Sequence, residues 1–121
     1  MSGIIRSDIN EEYVYSGIVE AGEFVFLSFC AGNIGAAFEE QVDGAIDDME
    51  RRLHTIGLTL EAVVKIDVLL KDVWNISFME KVFARRFIQG YPARKTISTE
   101  FAHAGGMNGL QVQIDAIAYK Q

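Results

Sequence analysis

The sequence of 121 residues has few of the side chains that form disulfides or metal sites, with one cysteine, Cys30, and two histidines. A single cysteine forms no disulfide within the chain, and no Cys/His spacing typical of zinc is present. His54 and His103 stand alone in the sequence, which favours a surface role over a ligand role. We therefore expect no metal and a reducing, cytoplasmic environment.

Positive charge is also scarce, because 11 Lys and Arg face 17 Asp and Glu, for a net charge of −6. Proteins that bind nucleic acids usually present a basic face that neutralises phosphates. The acidic balance therefore argues against RNA or DNA as the main partner. No apolar run approaches the roughly 18 residues that cross a bilayer, and the N-terminus does not resemble a signal peptide. We expect no association with a membrane.

The hydrophobic patterns predict one α+β domain over residues 1–121, with the element order βββαβαββ. A chain of this length is typical of a single domain, and no linker or internal repeat interrupts it. Ser77 and Glu80 have the spacing of a helix capping box. The predicted strands are 4–9, 13–19, 24–30, 62–70, 95–101 and 110–119, and the predicted helices are 38–53 and 77–88.

The predicted sheet is apolar on both faces. Strand 24–30, for example, has apolar side chains in both sets of alternating positions. Two helices cover one face of a mixed sheet, and no further chain remains to cover the other. This pattern predicts an oligomer.

Two short motifs differ in what they indicate. The glycine-rich segment 105–109 lacks the Lys-Ser/Thr of a phosphate loop and opens no helix, so it indicates a connection between strands. Pro92-Ala93-Arg94 places an arginine directly after a rigid turn and at the start of a strand. A guanidinium is permanently charged and binds a carboxylate through two hydrogen bonds. Taken alone, the motif is equally consistent with an ordinary surface arginine.

The segment from Tyr91 to Thr96 resembles the hPAR(S/T) signature of the YjgF/RidA family, also called the UK-type or L-PSP endoribonuclease family. The family's other motifs have counterparts in the same order, and together they reach from Tyr15 to Ala118. By this resemblance the chain is identified as a divergent member of the family. The matching segments are 15–28, 40–41, 57–65, 70–73, 91–96 and 112–118.

The resemblance implies a chorismate-mutase-like fold and a homotrimer with three clefts between subunits. The family's catalytic branch hydrolyses reactive imines and enamines to 2-keto acids and ammonia, without a cofactor. By the same resemblance, Arg94 would bind the substrate carboxylate, Tyr15 would wall the cleft and Thr96 would offer its hydroxyl.

Four positions depart from the family pattern, and one of them is Glu80, which stands where the family has an asparagine on the second helix. Phe29 stands where glycine is usual, Cys30 replaces a glutamine, and both are candidate contacts to the substrate. Gln113 replaces the glutamate thought to orient the attacking water, and an amide cannot accept a proton as a carboxylate does. The roles of Glu80 and Asp115 stay open.

Three functions follow from these residues. The first is hydrolysis of 2-imino acids, with Arg94 and Gln113 as candidate catalytic residues. The second is a non-catalytic trimer that uses Arg94 to bind a carboxylate metabolite. The third is RNA cleavage or inhibition of translation, against which the acidic charge and the lack of a histidine-based acid/base pair argue.

Overall fold

A computed structural model describes residues 3–102 and 109–121 of the chain. It confirms the α+β class and the order βββαβαββ, while most of the predicted connection 105–109 lies outside the described residues. The strands are β1 (Ile4–Asn10), β2 (Tyr15–Ala21), β3 (Phe24–Cys30), β4 (Val63–Leu70), β5 (Ala93–Ser98) and β6 (Val112–Tyr119), and the helices are α1 (Phe38–Thr55) and α2 (Ile76–Arg86).

The six strands form one mixed sheet in the order β1-β2-β3-β6-β4-β5. β4 and β5 are parallel neighbours joined through α2, which is a βαβ unit. β3 and β4 are joined through α1, but β6 lies between them and pairs antiparallel with both. The sheet therefore places the start of β5 at one edge and β1 at the other.

Both helices lie on one face of the sheet, where alternate side chains of the central strands form the core with them. The opposite face carries large apolar side chains that stay 41–45% exposed: Phe24, Phe26, Ile97 and Tyr119. The prediction of a second apolar face is confirmed, and the described residues leave that face uncovered. The homotrimer that would cover it stays a prediction.

The predicted capping box at the start of α2 is wrong. The helix begins at Ile76, and the side chain of Asn75 at its N-cap makes no capping hydrogen bond. Glu80 instead forms an ion pair with Arg94, 3.1 Å between Oε2 and Nη2. The spacing from Ser77 to Glu80 predicts only a contact within the helix. In the folded chain, the Glu80 carboxylate binds the Arg94 guanidinium on β5 instead.

Arg52, on α1, is a buried charged residue with a relative exposure of 5%. Its guanidinium donates to the carbonyl oxygens of Gly17 (3.1 Å), Ser28 (2.6 Å) and Phe29 (2.9 Å) and to the carboxylate of Asp48 (2.8 Å). Its Nε also lies 3.3 Å from a carboxylate oxygen of Asp8 on β1. One side chain thereby joins α1 to the first three strands, a role that the sequence patterns did not indicate.

Replacing Arg52 with methionine keeps the length of the side chain but leaves buried carbonyls and a carboxylate without their donor. We expect the free energy of unfolding to fall by about 3 kcal/mol or more. Arg51→Met is the matched control, because the Arg51 side chain is 58% exposed and pairs with the same Asp48. This variant should lose less than about 1 kcal/mol of the free energy of unfolding. Urea unfolding followed by circular dichroism measures both, and equal losses would contradict the assigned role.

Candidate functional site

Arg94 is the second residue of β5 and lies in register with Ile66 of β4, so its side chain is on the helix face of the sheet. The guanidinium carbon is 6.0 Å from the centre of the Phe83 ring on α2. Glu80, also on α2, binds one of its terminal nitrogens. The side chain is 31% exposed. Arg94 is therefore a half-buried cation held between the sheet and α2.

A cavity of about 440 Å³ opens beside this guanidinium. Its charged groups are Arg94 and Glu80, and the rest of its lining is largely apolar. A cavity of this size with few polar groups is typical of sites for small molecules. The other lining residues are Ile66, Phe83, Ala84, Phe87, Tyr91 and Pro92.

Thr96 lies two residues beyond Arg94 and pairs with Val68 of the core, so both side chains are on the same face. Its hydroxyl oxygen is buried and has no hydrogen-bond partner among the described residues. Buried hydroxyl groups are costly when unpaired. The hydroxyl is thus a candidate donor to a ligand, although it is enclosed in this conformation.

Tyr15 and Phe29 lie at a different place, where β2 begins and β3 ends. Their rings stack with centroids 6.1 Å apart, and both line a second cavity of about 140 Å³. Three strands separate β2 from β5 in the sheet, a distance of about 19 Å at the usual strand spacing. A single protomer therefore does not bring Tyr15 and Arg94 to the same small ligand.

The backbone of Phe29 has a φ of 60°, in the left-handed region that favours glycine. This conformation belongs to an irregularity in the pairing of β3 with β6 between Leu27 and Cys30. The Phe29 amide donates to Asp115 Oδ1 at 2.8 Å, and its carbonyl accepts from Arg52 at 2.9 Å. The role left open for Asp115 is therefore to hold this backbone.

Gln113 lies on the open face of the sheet, because its neighbours Val112 and Ile114 point into the core. It is on the opposite face from Arg94, so the two candidate catalytic side chains do not meet within one protomer. Cys30 is fully buried, and burial raises the pKa of its thiol to about 12. Cys30 belongs to the core, and we leave it out of the proposed site.

Sequence reasoning missed Glu80 as the partner of Arg94, as well as the contacts of Arg52 and Asp115. A signal for Glu80 does exist. The βαβ unit places α2 directly over β4 and β5, so a carboxylate on the sheet-facing side of α2 can reach a cation on β5. The other two contacts join residues 23 to 86 positions apart and have no local signature.

The model of the family described as Endoribonuclease L-PSP matches residues 6–120. The chain belongs to this family. It is 54% identical to a Streptococcus pyogenes protein whose structure is described as a member of the yjgF family, with a TM-score of 0.93 and coverage of 100% of this chain and 99% of the other. The expected family and its fold are therefore confirmed.

Two curated relatives are more distant. A RutC family protein from Pyrococcus horikoshii is 32% identical and is matched over 88% of this chain and 87% of its own length. A protein from Capra hircus named 2-iminobutanoate/2-iminopropanoate deaminase is 29% identical, with 86% and 78% covered. Within the described residues, no helix is long and apolar enough to span a bilayer.

The left-handed backbone at Phe29 predicts an unusual order of stability. Phe29→Gly and Phe29→Ala both remove the ring, but only alanine retains the steric cost of a positive φ. We expect the glycine variant to be more stable by about 1 kcal/mol. Phe26 is the control, because it lies in regular pairing with β2 and β6 and alanine should be the more stable replacement there. Thermal unfolding compares the four variants, and the same order at both positions would contradict the assignment.

The buried thiol of Cys30 predicts a dependence of stability on pH. Its pKa is raised from 9.0 to about 12, so the folded chain retains a proton that the unfolded chain loses. The resulting stability is complete below pH 9 and is lost as the pH rises toward 12. Unfolding free energies of the wild type and of Cys30→Ala should therefore converge over this range. Parallel curves for the two proteins would argue against a buried, protonated thiol.

Proposed function

We propose that the chain hydrolyses reactive 2-imino acids to 2-keto acids and ammonia. Arg94 binds the substrate carboxylate through two hydrogen bonds, as a guanidinium does well. The observation that carries this proposal is the half-buried guanidinium of Arg94 beside a largely apolar cavity of about 440 Å³. The goat relative named as an imine deaminase supports the same reaction class.

The proposed site lies between two protomers of a homotrimer. Tyr15 and Phe29 of one copy would close the cleft over Arg94 of its neighbour, since within one protomer the strand spacing holds Tyr15 about 19 Å and Phe29 about 14 Å from Arg94. The same arrangement would bring Gln113, on the open face, toward a ligand that it cannot reach in its own chain. The exposed apolar face of the sheet supports such an assembly.

The reaction needs little from the protein beyond positioning, because protonated imines react readily with water. Water adds to the imine carbon, a proton passes to the nitrogen, and ammonia leaves as the carbonyl forms. Arg94 fixes the imine carbon by holding the neighbouring carboxylate, which lowers the entropic part of the barrier. The Gln113 amide would hydrogen-bond the water, and Thr96 would offer a hydroxyl to the ligand.

A non-catalytic carboxylate-binding protein is the second candidate, and Gln113 is the observation that favours it. An amide orients water but does not remove its proton. In this case the cleft would hold a 2-keto or 2-imino acid without turning it over. The acidic net charge of −6 continues to disfavour RNA as the substrate.

The test generates imines in place with an amino acid oxidase and catalase and measures the rate of keto-acid formation. The wild type should accelerate it, and Arg94→Ala should abolish the acceleration. Arg94→Lys keeps the charge but loses the bidentate geometry, so we expect a rate at least about tenfold lower.

Lys81→Ala is the matched control, because Lys81 is an exposed cation on α2, next to Glu80, and does not line the cavity. It should retain the wild-type rate. No acceleration by the wild type would overturn the catalytic proposal. A 2-keto acid that still raises the melting temperature in an Arg94-dependent manner would then establish the binding function.

A further inference from the structure

We propose that Glu80 determines specificity by binding the cationic nitrogen of the ligand. The Arg94–Glu80 pair would then select molecules that carry a carboxylate next to a protonated nitrogen, and would discriminate against simple carboxylates. This inference rests on the proposed function, because it assumes that the ligand carboxylate binds Arg94. It adds Glu80 as a second point of recognition and narrows the ligands to protonated 2-imino acids with uncharged side chains.

Charge is the first argument. A cavity intended only for anions would present an uncompensated cation, but the Arg94 guanidinium has a carboxylate 3.1 Å away. A simple carboxylate entering here gains attraction from Arg94 and meets repulsion from Glu80. A ligand with both charges meets an opposite charge at each end.

Geometry is the second argument. A guanidinium offers five N–H donors, and a carboxylate has about four acceptor positions. The observed bond between Nη2 and Oε2 uses one of each, so both groups retain capacity for a ligand. In a protonated 2-imino acid the carboxylate and the nitrogen are joined through a single carbon. The ligand carboxylate can therefore pair with Arg94 while the ligand nitrogen pairs with the adjacent Glu80.

The remaining surface of the cavity indicates the side chain of the ligand. The phenyl rings of Phe83 and Phe87, together with Ile66 and Pro92, leave a largely apolar wall beside the charged pair. Burying an unpaired charge against such a wall is unfavourable. The cavity therefore fits an aliphatic or aromatic side chain.

A purely structural role for Glu80 is poorly supported. α2 is already bound to α1 through Arg86, which contacts Asp43 at 2.8 Å and Asp47 at 2.7 Å. The Glu80 side chain is 51% exposed, and ion pairs at such positions stabilise proteins little. Its position beside Arg94 is better explained by a role toward the ligand.

The experiment compares two stable probes of the same shape by calorimetry. Δ1-pyrroline-2-carboxylate is a cyclic 2-imino acid, and it is used in mildly acidic buffer so that its nitrogen is protonated. Cyclopent-1-ene-1-carboxylate has the same ring with a carbon–carbon double bond and carries only the negative charge. The wild type should bind the imino acid at least about tenfold more tightly.

The decisive variant is Glu80→Gln, which keeps the shape of the side chain and removes its charge. We expect weaker binding of the imino acid and tighter binding of the carbocyclic probe, so that the preference disappears. Glu61→Gln makes the same change in net charge at another exposed position and should leave the preference intact. Circular dichroism verifies that both variants fold.

The outcomes separate the two proposals. If Arg94→Ala leaves the binding of both probes unchanged, or if neither probe binds, carboxylate recognition by Arg94 is wrong and the proposed function fails with it. If both probes require Arg94 but Glu80→Gln strengthens them equally, Glu80 only competes for the guanidinium. That result would overturn the present inference and leave the proposed function standing.

Discussion

The buried guanidinium of Arg52 is the interaction on which the shape of the β2–β3 region depends. It supplies hydrogen bonds to carbonyls on both strands and to a carboxylate on its own helix. The Ser28 and Phe29 carbonyls that it binds lie within the irregular pairing of β3 with β6. With Asp115 binding the amide on the other side, the irregular backbone is held from both directions. The position of the Phe29 ring follows from these main-chain contacts.

The width of the sheet is the second constraint. With β5 at one edge and β2 near the other, the stacked pair of Tyr15 and Phe29 cannot share a small ligand with Arg94 of the same chain. A sheet with one open apolar face offers a simple solution, because face-to-face association buries that surface. In the proposed trimer, packing on the open face would stabilise the assembly, and the clefts would lie at the β5 edge, where a neighbouring copy can approach Arg94.

Local patterns predicted the fold well because each element has its own periodicity, and Arg94 was found through the short motif that precedes it. The contacts that shape the site were harder to predict. Arg52 sits in a charged stretch of α1 that indicates an exposed surface, yet it faces three carbonyls supplied by distant strands. Glu80 has a local spacing typical of a cap, and only the packing of α2 on β5 reveals its partner. The partners of both side chains are determined by the tertiary structure, not by the local sequence.

The ion pair at Arg94 also bears on the absence of a carboxylate at position 113. A glutamate there would act on the water, whereas in the proposed site the Glu80 carboxylate would act on the other reactant. By favouring the charged form of a nearby nitrogen, Glu80 would keep the imine protonated, and protonation makes its carbon more susceptible to attack by neutral water. Less removal of a proton from the water is then required in the transition state. In the proposed site, the negative charge has moved from the side of the nucleophile to the side of the electrophile.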